Sequence, residues 1–214
     1  MSTISLYSQH DLAILEPLGG ASFVDKVVKT IRTADAAAYS ECQAAFSDLE
    51  HCDAVGEHRR AKINEELAGL AAAMGLDCHY EKPEKQRYNN LVIRAEGTLL
   101  TVARSYGHGH ISRPSGFRSD LAQMRMNLFG ETDKPYSVPD DDVRVLILTY
   151  EVGMAGSHPV VTKIELQEIG ASPADVTYRI DLVAKVTGRT INMPEVVFDD
   201  FDIRPKEGLM RKNA

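Results

Sequence analysis

From Ser105 to Arg118 the chain reads SYGHGHISRPSGFR, a stretch with two histidines, two arginines, four hydroxyl-bearing residues and three glycines. Histidine exchanges protons near neutral pH, the arginine fork matches phosphate and carboxylate, and glycine lets backbone approach a ligand closely. His108 and His110, two residues apart on an extended segment, would point to one side. Beside Arg113 and Arg118 they could act as acid and base on a phosphodiester, with the guanidinium groups stabilising the developing charge. They could also begin a metal site, but a further ligand would have to come from His158, Asp140 or Asp142. We therefore assign no metal and no cofactor from the sequence.

The longer catalytic signatures are incomplete. No Gly-Lys dipeptide occurs, which removes the phosphate-binding P-loop. Gly107-His-Gly109-His-Ile-Ser112 opens like a dinucleotide fingerprint but has serine where the third glycine would allow close helix packing. His110-Ile-Ser112 supplies one of the two H-x-S/T units that a two-histidine phosphoesterase needs, and the second is missing. The spacing from Arg104 to His110 matches an RNase pattern that belongs on a helix, where Gly107 and Gly109 disfavour it. None of the ten lysines follows an Asp or Glu by two residues, as restriction-type nucleases require.

Charge supplies a second reading of the same region. The whole chain carries −7, yet the window from Lys85 to Met126 carries +5, and six of its seven positive residues are arginine. Arg94, Arg104, Arg113, Ser115 and Arg118 are the candidate anion-binding set. Phosphate or carboxylate would sit where the segment enters a helix, near unpaired N–H groups and the positive end of the helix dipole. The competing reading pairs these arginines with the carboxylates of an acidic protein. Between the two function classes, the missing catalytic partners favour a non-enzymatic binding or regulatory protein. It would hold a nucleic acid, a phosphorylated ligand or an acidic protein through residues 85–126. The alternative is a phosphodiesterase or RNase using His108 and His110.

The elements that must position these residues can be read from periodicity. Ser22, with Asp25 three residues later, reads as a helix cap before Phe23, Val27, Val28 and Ile31, and the helix runs to about Phe46. Ile63, Leu67, Leu70 and Met74 mark a second helix that stops at Gly75. Alternation around Glu96-Gly97 predicts a hairpin over 89–104, and Phe117, Leu121, Met124 and Leu128 mark a short third helix ending at Gly130. Strands follow near 143–152, 160–169 and 176–184. The order excludes regular strand–helix alternation and predicts an α+β fold, with N-terminal helices packed on one mainly antiparallel sheet of about five strands and a short helix inserted after the first hairpin. Residues 1–214 are read as one domain, with a mainly helical part (1–84), a sheet part (85–190) and a C-terminal arm (191–214) that packs on this or a neighbouring subunit.

Cys42, Cys52 and Cys78 are odd in number and lack a C-x-x-C pair, which argues against a disulfide framework and a four-cysteine zinc site. Asp11 and Glu16 interrupt the apolar core a signal peptide would need. The run Leu67–Leu76 is about half the roughly 20 residues of a membrane span. The expectation is a cytoplasmic protein with no membrane partner.

Overall fold

The computed structural model describes residues 6–45, 48–81, 89–105, 143–155, 158–170 and 175–188. The first helix, α1 (Gln9–Leu15), follows Ser8, whose hydroxyl accepts from the Asp11 N–H while the Asp11 carboxylate accepts from the Ser8 N–H. This reciprocal capping box satisfies two helix-end donors at once. A 3₁₀ turn (Glu16–Leu18) leads to Gly19, whose φ of 105° suits glycine alone, and the long helix α2 (Ala21–Ala45) begins immediately after Gly20. The sequence-based cap is therefore corrected. Ser22 lies inside α2 rather than before it, and the serine–aspartate box belongs to α1, a helix the periodicity reading did not anticipate.

Helix α3 (Asp48–Ala73) ends before Gly75, which has a φ of 74°. The sheet follows: β1 (Asp77–Glu81), β2 (Asn90–Ala95), β3 (Thr98–Ser105), β4 (Arg144–Ala155), β5 (His158–Ile169) and β6 (Val176–Asp181). These six described strands lie in chain order, and every neighbouring pair is antiparallel except β3 and β4, which run parallel. The α+β class with N-terminal helices and a mainly antiparallel sheet is as expected. Strand β1 is additional and falls within the stretch read as helical. The hairpin turns at Glu96-Gly97, with Gly97 at φ 60°. The last strand stops at Asp181 rather than 184, because the Asp181 carboxylate accepts the Ala184 N–H at 2.9 Å and caps a short helix, α4 (Leu182–Thr187). The predicted helix at 117–130 and the arm at 191–214 lie outside the described residues.

The strands alternate between two faces. Leu91, Ile93, Leu100, Leu146, Leu148 and Leu166 pack with Val24, Val27, Ile31, Ile63 and Leu67 of α2 and α3, defining the helix face. Val92, Leu99, Ala103, Val145, Ile147 and Ile169 form a second apolar cluster on the far face. Full burial of one such aliphatic side chain contributes about 1.5–3 kcal/mol. Two apolar faces explain why the middle of β4 reads as continuously hydrophobic, whereas a strand with one wet face would alternate.

Candidate functional site

Arg94 and Arg104 are the two members of the predicted anion-binding set within the described residues. They do not come together. Arg94 pairs with Leu99 across the hairpin and shares the far face with it, whereas Arg104 lies with Leu100 and Val102 on the helix face. At about 3.3 Å per residue, the step from Leu99 to Arg104 also separates them by roughly 17 Å along the sheet. Arg104 pairs in register with Tyr150 and extends toward α3, where its Nη1 lies 3.7 Å from the point that a Cβ on Gly56 would occupy. His108, His110, Arg113, Ser115 and Arg118 lie outside the described residues.

Topology brings together something the spacing did not reveal. Because β1–β2 and β2–β3 are antiparallel, β1 finishes and β2 starts at the same end of the sheet where β3 finishes. Segment 82–88, with Lys85 and Arg87, is joined to the sheet at this end, and the histidine- and arginine-bearing segment leaves it from Ser105. Arg104 stands at that exit. The neighbouring ends of β4 and β5 are also here, with a bulge between Glu151 and Val152.

A buried ion pair stiffens this end. The Arg59 guanidinium on α3 donates through Nε to Asp35 of α2 and through Nη2 to the Pro159 carbonyl at 3.0 Å. The other Asp35 oxygen accepts the Val161 N–H at 2.6 Å. The two side chains are 3% and 6% exposed, so a charge here is tolerable only because it is paired and hydrogen-bonded. Nearby on the surface, His58 lies 2.6 Å from Glu41, and that hydrogen bond, with Lys62 adding its charge, holds the Glu41 carboxyl below its usual range. With each Asp35 oxygen accepting a hydrogen bond, one from Arg59 and one from the Val161 N–H, the cluster clamps both helices to β5.

A second polar group lies at the opposite corner. Asp11 is only 3% exposed and accepts from the Tyr178 hydroxyl (3.1 Å), the Lys185 ammonium (2.7 Å) and the Ser8 N–H (2.9 Å). Burial pushes its carboxyl upward, but the hydrogen bonds from Lys185, Ser8 and Tyr178 together outweigh burial and hold it below its usual range. Tyr178 also touches the Ser8 hydroxyl at 3.3 Å and meets the His10 ring edge-on at 4.3 Å. Ser8, Asp11, Tyr178 and Lys185 line an open cleft of about 380 Å³. A carboxylate held ionised in this way cannot deliver a proton near neutral pH, so the group fixes α1 to β6 and α4. Only the Ser8-x-x-Asp11 spacing hinted at it, because Tyr178 and Lys185 lie 167 and 174 residues from Asp11 in the chain.

Among the described residues, no group of three or more His, Cys, Asp or Glu side chains is placed to hold a metal ion, and no helix is long and apolar enough to cross a membrane. No protein-family model matches the chain, and no curated protein or solved structure is significantly similar to it.

Proposed function

We propose that this is a non-enzymatic binding or regulatory protein that holds an anionic partner at the end of the sheet where β3 terminates. One observation supports the reading: β1 ends and β2 begins at the same end of the sheet where β3 ends just past Arg104, so the sequence stretches that carry Lys85 and Arg87, and His108, His110, Arg113, Ser115 and Arg118, are both attached to that end. Arginine supports such a role because its fork meets phosphate or carboxylate with two parallel hydrogen bonds. Arg94, on the other face and toward the other end, belongs outside this set.

A labelled single-stranded RNA serves as the polyanion probe, read by fluorescence anisotropy at low and moderate salt. Combined Arg87→Ala, Arg104→Ala and Arg113→Ala should weaken binding at least about tenfold and flatten its salt dependence, because fewer phosphate contacts release fewer counterions. Arg94→Ala should bind as the unaltered protein does. Equal loss from Arg94→Ala, or no binding of RNA at low salt, would overturn the reading for nucleic acid. Cleavage of the RNA that falls about 10²- to 10⁴-fold in His108→Gln or His110→Gln would replace it with the phosphodiesterase alternative.

A further inference from the structure

The edge of a sheet is where backbone hydrogen-bonding groups are left over, and the register tells which residues of β6 hold them. The Arg144 N–H donates to the Gly97 carbonyl, so the even-numbered residues of β4 turn their peptide groups toward β3 and the odd-numbered ones toward β5. Ile147 pairs with Gln167 and Leu166 with Ile180, so β5 bonds β4 through its odd residues and β6 through its even ones. In keeping with this, the Thr177 hydroxyl donates to the Glu168 carbonyl. Ile180 therefore turns its peptide groups inward, and those of Arg179 and Asp181 point off the sheet. Among the described residues, no strand pairs along that outer side.

The same two residues carry the charge of this edge. Arg179 and Asp181 stand on the far face of the sheet with Gln167 and Glu165, their partners in register. The Arg179 side chain is exposed, and among the described residues no ion pair or hydrogen bond holds it. Asp181 is still extended, with φ −77° and ψ 104°, and spends one carboxylate oxygen on the Ala184 N–H. On the helix face the cleft of about 380 Å³ opens beside this stretch, with Leu6, Ile180 and Ala184 as its apolar lining. Leu6 is 53% exposed, an apolar side chain that a partner could cover.

We propose that the outer edge of β6 and this cleft bind an extended peptide segment of a partner protein, running antiparallel to β6 and reading basic–apolar–acidic from its N-terminal side. The acidic residue pairs with Arg179. Its N–H donates to the Arg179 carbonyl, its carbonyl accepts the Arg179 N–H, and its carboxylate meets the guanidinium on the far face. The apolar residue lies opposite Ile180, turns its own peptide groups away from β6 and carries its side chain over the cleft beside Leu6 and Ala184. The basic residue accepts the Asp181 N–H and faces the Asp181 carboxylate. Main-chain bonds supply the affinity and alternate side chains the selection.

β6 itself reads Arg179-Ile180-Asp181, the same pattern, but a second folded copy fits less well. Its Asp181 carbonyl opens α4 and is engaged by the first helical hydrogen bond, so it is a poor acceptor for the Arg179 N–H of the first copy. A free extended segment offers both its donor and its acceptor. The site lies at the opposite edge of the sheet from β1 and uses none of the residues of the anion-binding reading, so either can fail without the other.

The probe is a fluorescein-labelled peptide, Thr-Lys-Val-Glu-Val, titrated with the full-length protein and read by anisotropy. It should bind saturably with a Kd below about 1 mM. N-methylation of its glutamate removes a donor that faces β6 and should weaken binding about fivefold or more, whereas N-methylation of the central valine, whose N–H faces away, should change it less than about twofold. Arg179→Glu should bind the probe about threefold or more weakly and prefer Thr-Lys-Val-Lys-Val instead, since opposite charges across a strand pair attract and like charges repel. No saturable binding, equal loss from either N-methyl group, or an unchanged preference in Arg179→Glu would each overturn the proposal. So would self-association in sedimentation velocity that Arg179→Glu abolishes, which would assign the edge to a second copy.

Discussion

Asp35 and Asp11 are both buried aspartates that tie a helix to the sheet, but different partners hold them. Asp35 is gripped by a guanidinium of fixed shape and by a backbone N–H of β5, and the guanidinium is itself anchored on the Pro159 carbonyl. Asp11 is held by a lysine on a flexible stem, a tyrosine hydroxyl and the N–H of its own cap, beside an open cleft. Rigid partners with little exposure make the first an internal clamp. The second is adjustable, because the Lys185 side chain is 23% exposed and water can replace part of what it supplies.

That contrast predicts a descending order of effects. Arg59→Met leaves Asp35 buried with only the Val161 N–H, and should cost about 3–5 kcal/mol of stability by urea unfolding. Arg59→Met combined with Asp35→Leu should recover most of that loss, since no uncompensated charge remains. If the double variant is no more stable than Arg59→Met, the clamp is not a charge problem and the comparison fails. Lys185→Met should cost less, about 1.5–3 kcal/mol, because Tyr178 and Ser8 still satisfy the carboxylate. A loss as large as that of Arg59→Met would show the two sites to be equally sealed.

The smallest effect is in pH. The folded state holds the Asp11 carboxyl below 3.8, so its contribution to stability is present above that value and disappears as the pH falls through the lowered one. Asp11→Asn should therefore weaken the protein at pH 7 and flatten the fall in stability below about pH 4. An unchanged acid slope in unfolding experiments would mean that other carboxylates carry the acid sensitivity.

The fold was legible wherever the periodicity was long. Phe23, Val27, Val28 and Ile31 place α2 within a residue or so of its start, and alternation about Gly97 fixes the hairpin. Strand β1 was missed because Asp-Cys-His-Tyr-Glu is only five residues long and its alternation rests on Cys78 and Tyr80 alone; pairing with β2 makes it a strand. Helix α4 was hidden because Leu182 and Val183 continue a strand-like pattern, and only the Asp181 cap redirects the backbone. The Asp11 and Asp35 clusters join residues far apart in the chain, which no local window can see. The separation of Arg94 from Arg104 was, by contrast, available from parity: an even step across a hairpin keeps a face only when the turn and pairing are counted together, and the charge window ignored both.

The one parallel pairing also divides the sheet into two halves by sequence distance. β1–β2–β3 and β4–β5–β6 are each built from neighbouring segments, and they meet only along the β3–β4 seam. Closing the long intervening chain costs of order 3 kcal/mol of entropy before the seam returns any bonding, whereas a two-residue hairpin turn costs far less. Each meander can form its local pairs on the microsecond scale of hairpins, while the seam must await a long-range encounter. The seam therefore sets the pace of folding, and core substitutions along β3 and β4 should slow refolding more than equally destabilising ones in β1 or β6.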